Sequence, residues 1–162
     1  MNSTGQAAVI LIVDDDWMIR EIMQAHLEAA GYTTITAHSG EQALELAAAH
    51  PPDLIILDLR LQGLDGYQVC AQFKANAATR WAPVIVTSAL DSEESRLQAL
   101  EAGADVFLFK PFDALTMLTR VRALLQIKSL RDELAAWRER LWPVLIRYVD
   151  EATAQRILAD LT

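Results

Sequence analysis

The chain has 162 residues, of which 52% are apolar and 22% are charged, and its formal net charge is −8. These values fit one globular domain with a buried core and a short appendage, and they exclude a disordered polymer. The acidic balance disfavours nonspecific binding to nucleic acid or to anionic lipid, so neither is expected as a partner.

The sequence carries no targeting or membrane-spanning pattern. No apolar run approaches the ~20 residues that a bilayer span needs, and residues 1–8 lack the basic and apolar parts of a signal peptide. Cys70 is the single cysteine, which excludes an intrachain disulfide and predicts a small packing residue. We therefore expect a cytoplasmic protein.

Short apolar runs alternate with helical patterns along the first 127 residues. Residues 9–13 form an unbroken apolar run, typical of a strand covered on both faces. Further strands are predicted at residues 32–37, 54–57, 84–87 and 106–109. Alternating strands and helices with short links require right-handed crossovers, so the sequence predicts a three-layer α/β sandwich with a parallel sheet.

The helices between these strands have recognisable starts and stops. The first begins near Trp17 and stops at Gly31, a good helix terminator. Ser39 and Gln42 have the spacing of a capping box for the second helix. The third is predicted at residues 66–75, the fourth from Asp91 to Gly103, and the last from residue 112 to at least 141.

Reactive polar residues follow four of the predicted strands. In a parallel sheet the carboxyl ends of the strands meet at one edge, where ligands bind. We therefore expect one small pocket, closed by the turn of residues 63–66, that brings together Asp14, Asp15, Asp58, Thr87 and Lys110.

Each of these residues also has a plainer interpretation. Asp14 and Asp15 could form a solvated acidic turn that caps the next helix, but with Asp58 nearby a hard divalent cation, Mg²⁺, becomes the better hypothesis. Asp58 could simply end a strand, or its carboxylate could attack phosphorus. Lys110 could pair with the same aspartates or with a phosphoryl oxygen.

The motifs ILIVDDD, LIILDLRLQGLDG, PVIVTSA and GADVFLFKPF resemble, at their spacing, the receiver domain of two-component response regulators. The resemblance covers about residues 8–127. It implies a flavodoxin-like, doubly wound sheet of five parallel strands in the order 2-1-3-4-5. It also implies a phosphoacceptor switch rather than an enzyme, with a histidine kinase or phosphotransfer protein as its partner.

The resemblance assigns a role to each site residue. Asp58 would accept the phosphoryl group. Asp15, Asp58 and the backbone carbonyl of Arg60 would ligate Mg²⁺ directly, while Asp14 would act mainly through water. Thr87 and Lys110 would bind phosphoryl oxygens, with a cis peptide bond between Lys110 and Pro111. Phe107 would be the aromatic rotamer switch.

A physical account of the switch does not depend on the family. A phosphoryl group on Asp58 adds charge and acceptor oxygens beside a cation, a hydroxyl and an ammonium group. If Thr87 moves inward, it vacates space that Phe107 can fill, and the surface of the fourth helix, fifth strand and fifth helix changes.

Three positions depart from the family pattern or bear on the phosphoryl lifetime. Gln62 stands where the family often has proline, which loosens the turn without touching the chemistry. Arg60 and Ala89 lie two residues beyond Asp58 and Thr87, and neither supplies a carboxylate or amide that could orient an attacking water. We therefore predict slow self-dephosphorylation.

A helical extension is predicted at residues 128–162. From Ile127 onward, apolar residues recur every three or four positions, a 3.5-residue period typical of a coiled coil, at Ile127, Leu130, Leu134, Trp137, Leu141, Val144 and Tyr148. We predict a homodimer through this helix and the face of the fourth and fifth helices. The alternative is a helix that folds back onto its own domain. A break near residues 143–150 and a final helix near residues 151–161 are also predicted.

Two other functions compete with the phosphoacceptor switch. A phosphorylation-independent docking module would not need the complete set of Asp14, Asp15, Asp58, Thr87 and Lys110. A phosphotransfer enzyme or hydrolase with an aspartyl intermediate would need a substrate pocket, for which the short loops leave no room. The chain could also be the N-terminal regulatory part of a longer output protein.

Overall fold

The computed structural model describes residues 7–89, 92–148, 153 and 156. Within these residues five strands alternate with five helices. Their bounds are β1 (Val9–Val13), α1 (Trp17–Ala29), β2 (Thr33–Ala37), α2 (Gly40–Ala49), β3 (Leu54–Asp58), α3 (Gly66–Ala75), β4 (Val84–Ser88), α4 (Glu93–Glu101), β5 (Val106–Phe109) and α5 (Ala114–Tyr148).

The five strands form one parallel sheet in the order β2-β1-β3-β4-β5. This confirms the predicted flavodoxin-like order. A helix joins each strand to the next one along the chain, as parallel crossover connections require. The order reverses direction after β1, so the carboxyl ends of β1 and β3 flank the position where such sheets hold ligands.

Two apolar cores lie on opposite faces of the sheet, because successive strand residues point to opposite sides. In β1, Leu11 and Val13 join the core covered by α2, α3 and α4. Ile10 and Ile12 join the core covered by α1 and α5, which includes Met117 and Val121. Helices therefore cover both faces, as the unbroken apolar run of β1 predicts.

The helix starts follow the capping residues of the sequence. Asp16 caps α1 by accepting from the backbone N–H groups of Met18 and Ile19. The hydroxyl of Ser39 caps α2 by accepting from the N–H of Gln42 at 3.2 Å. The amide oxygen of Gln42 accepts in return from the N–H of His38 at 2.8 Å, one residue earlier than the usual capping box.

Two predicted helix boundaries are wrong. The N-cap of α4 is Ser92, whose hydroxyl accepts from the N–H of Ser95 at 3.1 Å, because a serine three residues ahead of a helical N–H caps as well as an aspartate. Asp91 lies outside the described residues.

The helix also continues through Pro143 to Tyr148, so the predicted break does not lie at residues 143–148; residues 149 and 150 lie outside the described residues. A proline removes one intrahelical hydrogen bond, and the helix-forming residues around it sustain the remaining ones. The predicted final helix at residues 151–161 lies outside the described residues, apart from positions 153 and 156.

The chain divides into two compact units, Met1–Lys128 and Ser129–Thr162, and the division falls within α5. That the second unit is a dimerisation or linker segment stays a prediction. Among the described residues, no helix has both the length and the apolarity of a membrane span.

Cys70 lies on the buried face of α3 and is fully covered. Burial raises the pKa of its thiol to about 11. Because the thiolate is the reactive form, Cys70 is nearly inert toward thiol reagents in the native protein at neutral pH. It is therefore a packing residue, as the sequence predicts.

Candidate functional site

The predicted site residues converge at the carboxyl edge of the sheet. Asp58 is the last residue of β3 and lies beside Thr87 of β4 in the strand register. Asp14 directly follows β1, which neighbours β3 on the other side. Lys110 follows β5, and its backbone N–H donates to the carbonyl of Ser88 at 2.8 Å. Strand order and register together therefore assemble the pocket.

Asp14, Asp15 and Asp58 form an acidic cluster. One carboxylate oxygen from each lies within 4.8 Å of the others. Asp14 and Asp58 are buried, whereas Asp15 is exposed. The donor set consists of oxygen alone, which fits Mg²⁺ and does not fit the nitrogen and sulfur preferences of zinc or copper. The exposed side leaves room for the waters that Mg²⁺ retains.

Lys110 binds two of these carboxylates at once. Its Nζ lies 2.6 Å from Asp14 Oδ2 and 3.2 Å from Asp58 Oδ1. Burial alone would lower the pKa of Lys110, but the hydrogen bond to Asp14 and the charges of Asp58 and Asp14 outweigh it and raise the pKa. The ammonium group is therefore charged, and the predicted ion pair with the aspartates is confirmed.

The environment of Asp58 disfavours its charged form. Burial raises the pKa of its carboxyl above the usual value, the positive charge of Lys110 lowers it in part, and the neighbouring Asp14 raises it again. The backbone N–H of Arg60 also favours the charged form. A divalent cation at the cluster would oppose both effects that disfavour the carboxylate.

Asp14 accepts hydrogen bonds from three donors, two at its carboxylate and one at its backbone carbonyl. Its Oδ1 accepts from the backbone N–H of Asp16 at 3.0 Å, and its Oδ2 accepts from Lys110. Its backbone carbonyl accepts from the Arg20 guanidinium at 2.6 Å. Both carboxylate oxygens of Asp14 are thus already engaged, which agrees with an indirect rather than direct role at a metal ion.

Arg20 is the residue that the sequence reasoning missed. It lies at the end of the first turn of α1 and fixes the acidic loop by its bond to Asp14. The available signal was a cation close behind three aspartates, on a helix whose first turn contains no acidic residue that could pair with it.

Thr87 presents a buried hydroxyl without a partner. The residue is fully covered, and among the described residues its Oγ1 has no hydrogen-bond partner. Such a group destabilises a folded protein unless a ligand engages it, so its persistence beside Asp58 points to a functional role.

Phe107 lies on β5 beside Val86 of β4 and is half-buried. Its ring packs against the core shared with α2, α3 and α4 and lies 6.4 Å from the ring of Phe109, centroid to centroid. The residue therefore stands one strand away from Thr87, between the pocket edge and the α4 side of the sheet.

The turn of residues 63–66 closes over the end of β3. A Cβ atom on Gly66 would lie 2.6 Å from Leu59 Cα and 2.7 Å from the carbonyl oxygen of Asp58, so only glycine allows this approach. Gly63 has a φ of +93°, a left-handed conformation that glycine adopts without strain. The Lys110–Pro111 peptide bond is cis, as the resemblance implies.

Comparison with known proteins gives a consistent result. The family model described as the response regulator receiver domain matches residues 10–122. The chain belongs to this family. It is 42% identical over 128 residues to the response regulator PleD of Caulobacter vibrioides, and the match covers 79% of this chain and 28% of PleD.

Solved structures agree with this assignment. A response regulator from Chloroflexus aurantiacus has 34% identity and a TM-score of 0.72, over 75% of this chain and 99% of its own. The BeF3-activated DrrB receiver domain has 30% identity and a TM-score of 0.68, and the match covers 75% of this chain and 99% of the DrrB chain. The chain spans less than two thirds of the length of the curated relatives that it matches first.

Replacing Thr87 by valine is expected to stabilise the protein. The variant keeps the shape and removes a buried hydroxyl that has no partner, which should raise the free energy of unfolding by about 1 kcal/mol. The matched control is Thr79→Val, because Thr79 is equally buried but donates to the carbonyl of Phe73 at 2.7 Å. The free energy of unfolding of Thr79→Val should fall by about 1 kcal/mol.

Urea unfolding followed by circular dichroism measures both changes. Equal destabilisation by the two substitutions would show that the hydroxyl of Thr87 is satisfied in solution.

Proposed function

We propose that this receiver domain is a phosphoacceptor switch. Asp58 takes a phosphoryl group from the phosphohistidine of a histidine kinase or phosphotransfer protein, in a reaction that depends on Mg²⁺. The observation that carries the proposal is the convergence on Asp58 of an acidic cluster with oxygen donors suited to a hard cation, the Lys110 ammonium and the buried hydroxyl of Thr87.

The transfer is an in-line displacement at phosphorus. A carboxylate oxygen of Asp58 forms the new O–P bond, the N–P bond of the phosphohistidine breaks, and its electron pair stays on the imidazole nitrogen. Bound Mg²⁺ supplies positive charge for the oxygens of the transferred group. Lys110 shifts from its ion pairs toward one of those oxygens. Asp15, Asp58 and the carbonyl of Arg60 are the groups that would hold the cation.

The phosphoryl group ends on the chain itself, so the domain acts as a switch and not as an enzyme with a separate substrate. Its new oxygens offer an acceptor to the hydroxyl of Thr87, which otherwise has none among the described residues. Movement of Thr87 frees space toward Phe107, one strand away. The surface of α4, β5 and α5 then changes and controls a partner or an output segment.

We also propose that the switch acts in a homodimer. Two leucines of α4, Leu97 and Leu100, are more than half exposed. The C-terminal half of α5 carries a longer exposed apolar row. Exposed apolar surface of this extent is typical of an interaction site, and it lies on the helices that the switch would affect.

Asp58→Asn should abolish phosphorylation, because the amide cannot act as the attacking carboxylate. Incubation with acetyl phosphate and Mg²⁺, followed by mass spectrometry, measures the phosphorylated fraction. The control is Asp16→Asn, since Asp16 caps α1 beside the pocket and asparagine caps equally well. That variant should be labelled normally. Full labelling of Asp58→Asn would reject Asp58 as the acceptor.

Mg²⁺ binding should depend more on Asp15 than on Asp14. The oxygens of Asp14 are engaged by Lys110 and by the N–H of Asp16, so Asp14→Asn should weaken binding about tenfold, as for a group that acts around a ligand. Asp15→Asn should weaken it further. Trp17, exposed at the start of α1, reports the titration by fluorescence. Native affinity in Asp15→Asn would contradict this metal site.

The phosphorylated state should last for hours. Arg60 and Ala89 are both exposed beside the site, and neither orients a water for attack on phosphorus. Arg60→Asn supplies an amide at this position and should shorten the half-life, whereas Arg80→Asn, between α3 and β4, should not. Loss of the label with time measures both. A native half-life of seconds would show that another group activates the water.

A further inference from the structure

One row of apolar side chains on α5 is exposed, with no cover from the described residues. Its described members are between 38% and 70% exposed, and they are Ile127, Leu130, Leu134, Trp137, Leu141 and Val144. All lie on one continuous helix, at alternating spacings of three and four residues. We call these six residues the seam.

The geometry of the seam selects its occupant. A spacing of three and four repeats every seven residues, so the row stays on one side only if the helix winds around a similar helix. In this heptad Ile127, Leu134 and Leu141 take the a positions, and Leu130, Trp137 and Val144 take the d positions. A second copy of this chain presents the same row, so the seam is self-complementary.

We propose that residues 127–148 of two chains form a parallel, in-register coiled coil; this inference rests on the proposed homodimer. In a parallel pair each g residue faces the e residue of the next heptad on the partner. Glu133 at g then meets Arg138 at e, twice by symmetry, and no facing pair among the flanking residues combines like charges.

The antiparallel alternative is less well matched. There e faces e, and the flanking residues at e include Arg131 and Arg138. Two arginine pairs would then face each other and offset the attraction that Glu133 could gain from Arg140 at g. The charges beside the seam therefore specify the parallel orientation, while the apolar row supplies the association.

Pro143 does not interrupt the seam. It takes a c position, on the outer side of the helix, and α5 continues beyond it to Tyr148. The hydrogen bond that the proline removes is thus lost away from the contact between the chains. The next residue, Val144, again lies in the seam.

Sedimentation of the full chain tests the association. The native protein and Ala135→Glu should both sediment as dimers, because Ala135 takes an outer b position. Leu134→Glu places the same charge one residue earlier, in the seam, and should halve the sedimenting mass. A monomeric native protein, or a dimer unaffected by Leu134→Glu, would overturn the coiled coil.

Phosphorylation with acetyl phosphate separates this inference from the proposed switch. Leu134→Glu should be labelled at Asp58 like the native protein, which also shows that its receiver domain is folded. Loss of dimerisation with normal labelling therefore concerns the seam alone, and loss of labelling in the native protein concerns the switch alone.

Disulfide formation tests the orientation. Buried Cys70 does not compete, so a single introduced cysteine reports its own partner. With diamide as the oxidant, Leu130→Cys should form a covalent dimer at low protein concentration, and Ser129→Cys, on the outer side, should not. An antiparallel pair would be established, and the parallel one overturned, if Leu130→Cys chains crosslinked to Leu141→Cys chains and two Leu130→Cys chains did not crosslink to one another.

Discussion

The ion pairs of Lys110 are the interaction on which the site depends. Two buried carboxylates, Asp14 and Asp58, meet where β1 and β3 end, and burying them without an opposite charge would be costly. Lys110 reaches them from the end of β5, on the far side of β4. One ammonium group therefore joins three strand ends and favours the charged form of Asp58, which is the form that binds a hard cation and attacks phosphorus.

This arrangement stabilises the site less than an apolar one would. Burial raises the pKa of Asp58, and the hydroxyl of Thr87 has no partner among the described residues. Both features oppose folding, and a cation and a phosphoryl group in the pocket would relieve both. Proteins retain such local conflicts where a ligand resolves them. The hydroxyl of Thr87, a donor without an acceptor among the described residues, would thus give the proposed phosphorylation a differential free energy between two states.

The sequence predicted the sheet well because its signals are local and strong. Unbroken apolar runs marked β1 and β3, and the ordering of strands followed from the receiver motifs. Capping at Ser39 was also predictable, although Gln42 reaches His38 rather than Ser39.

The misses share a cause, which is that local rules left several outcomes open. Ser92 and Asp91 are both good caps, and only the backbone geometry shows that Ser92 begins α4. Pro143 usually ends a helix, but its single lost hydrogen bond does not outweigh the bonds that continue beyond it. Arg20 could have been suspected from its place behind three aspartates, but its partner, the backbone carbonyl of Asp14, could not be identified from the sequence.

The first part of α5 is fixed to the sheet near Lys110. It begins four residues after Lys110, and Met117 and Val121 fix its first part in the core against the sheet. Lys128 then pairs with Asp53, whose carboxylate also accepts from the N–H of Val9 at the opposite end of β1. The helix is thus held at both ends of the sheet up to the residue where its exposed apolar row begins.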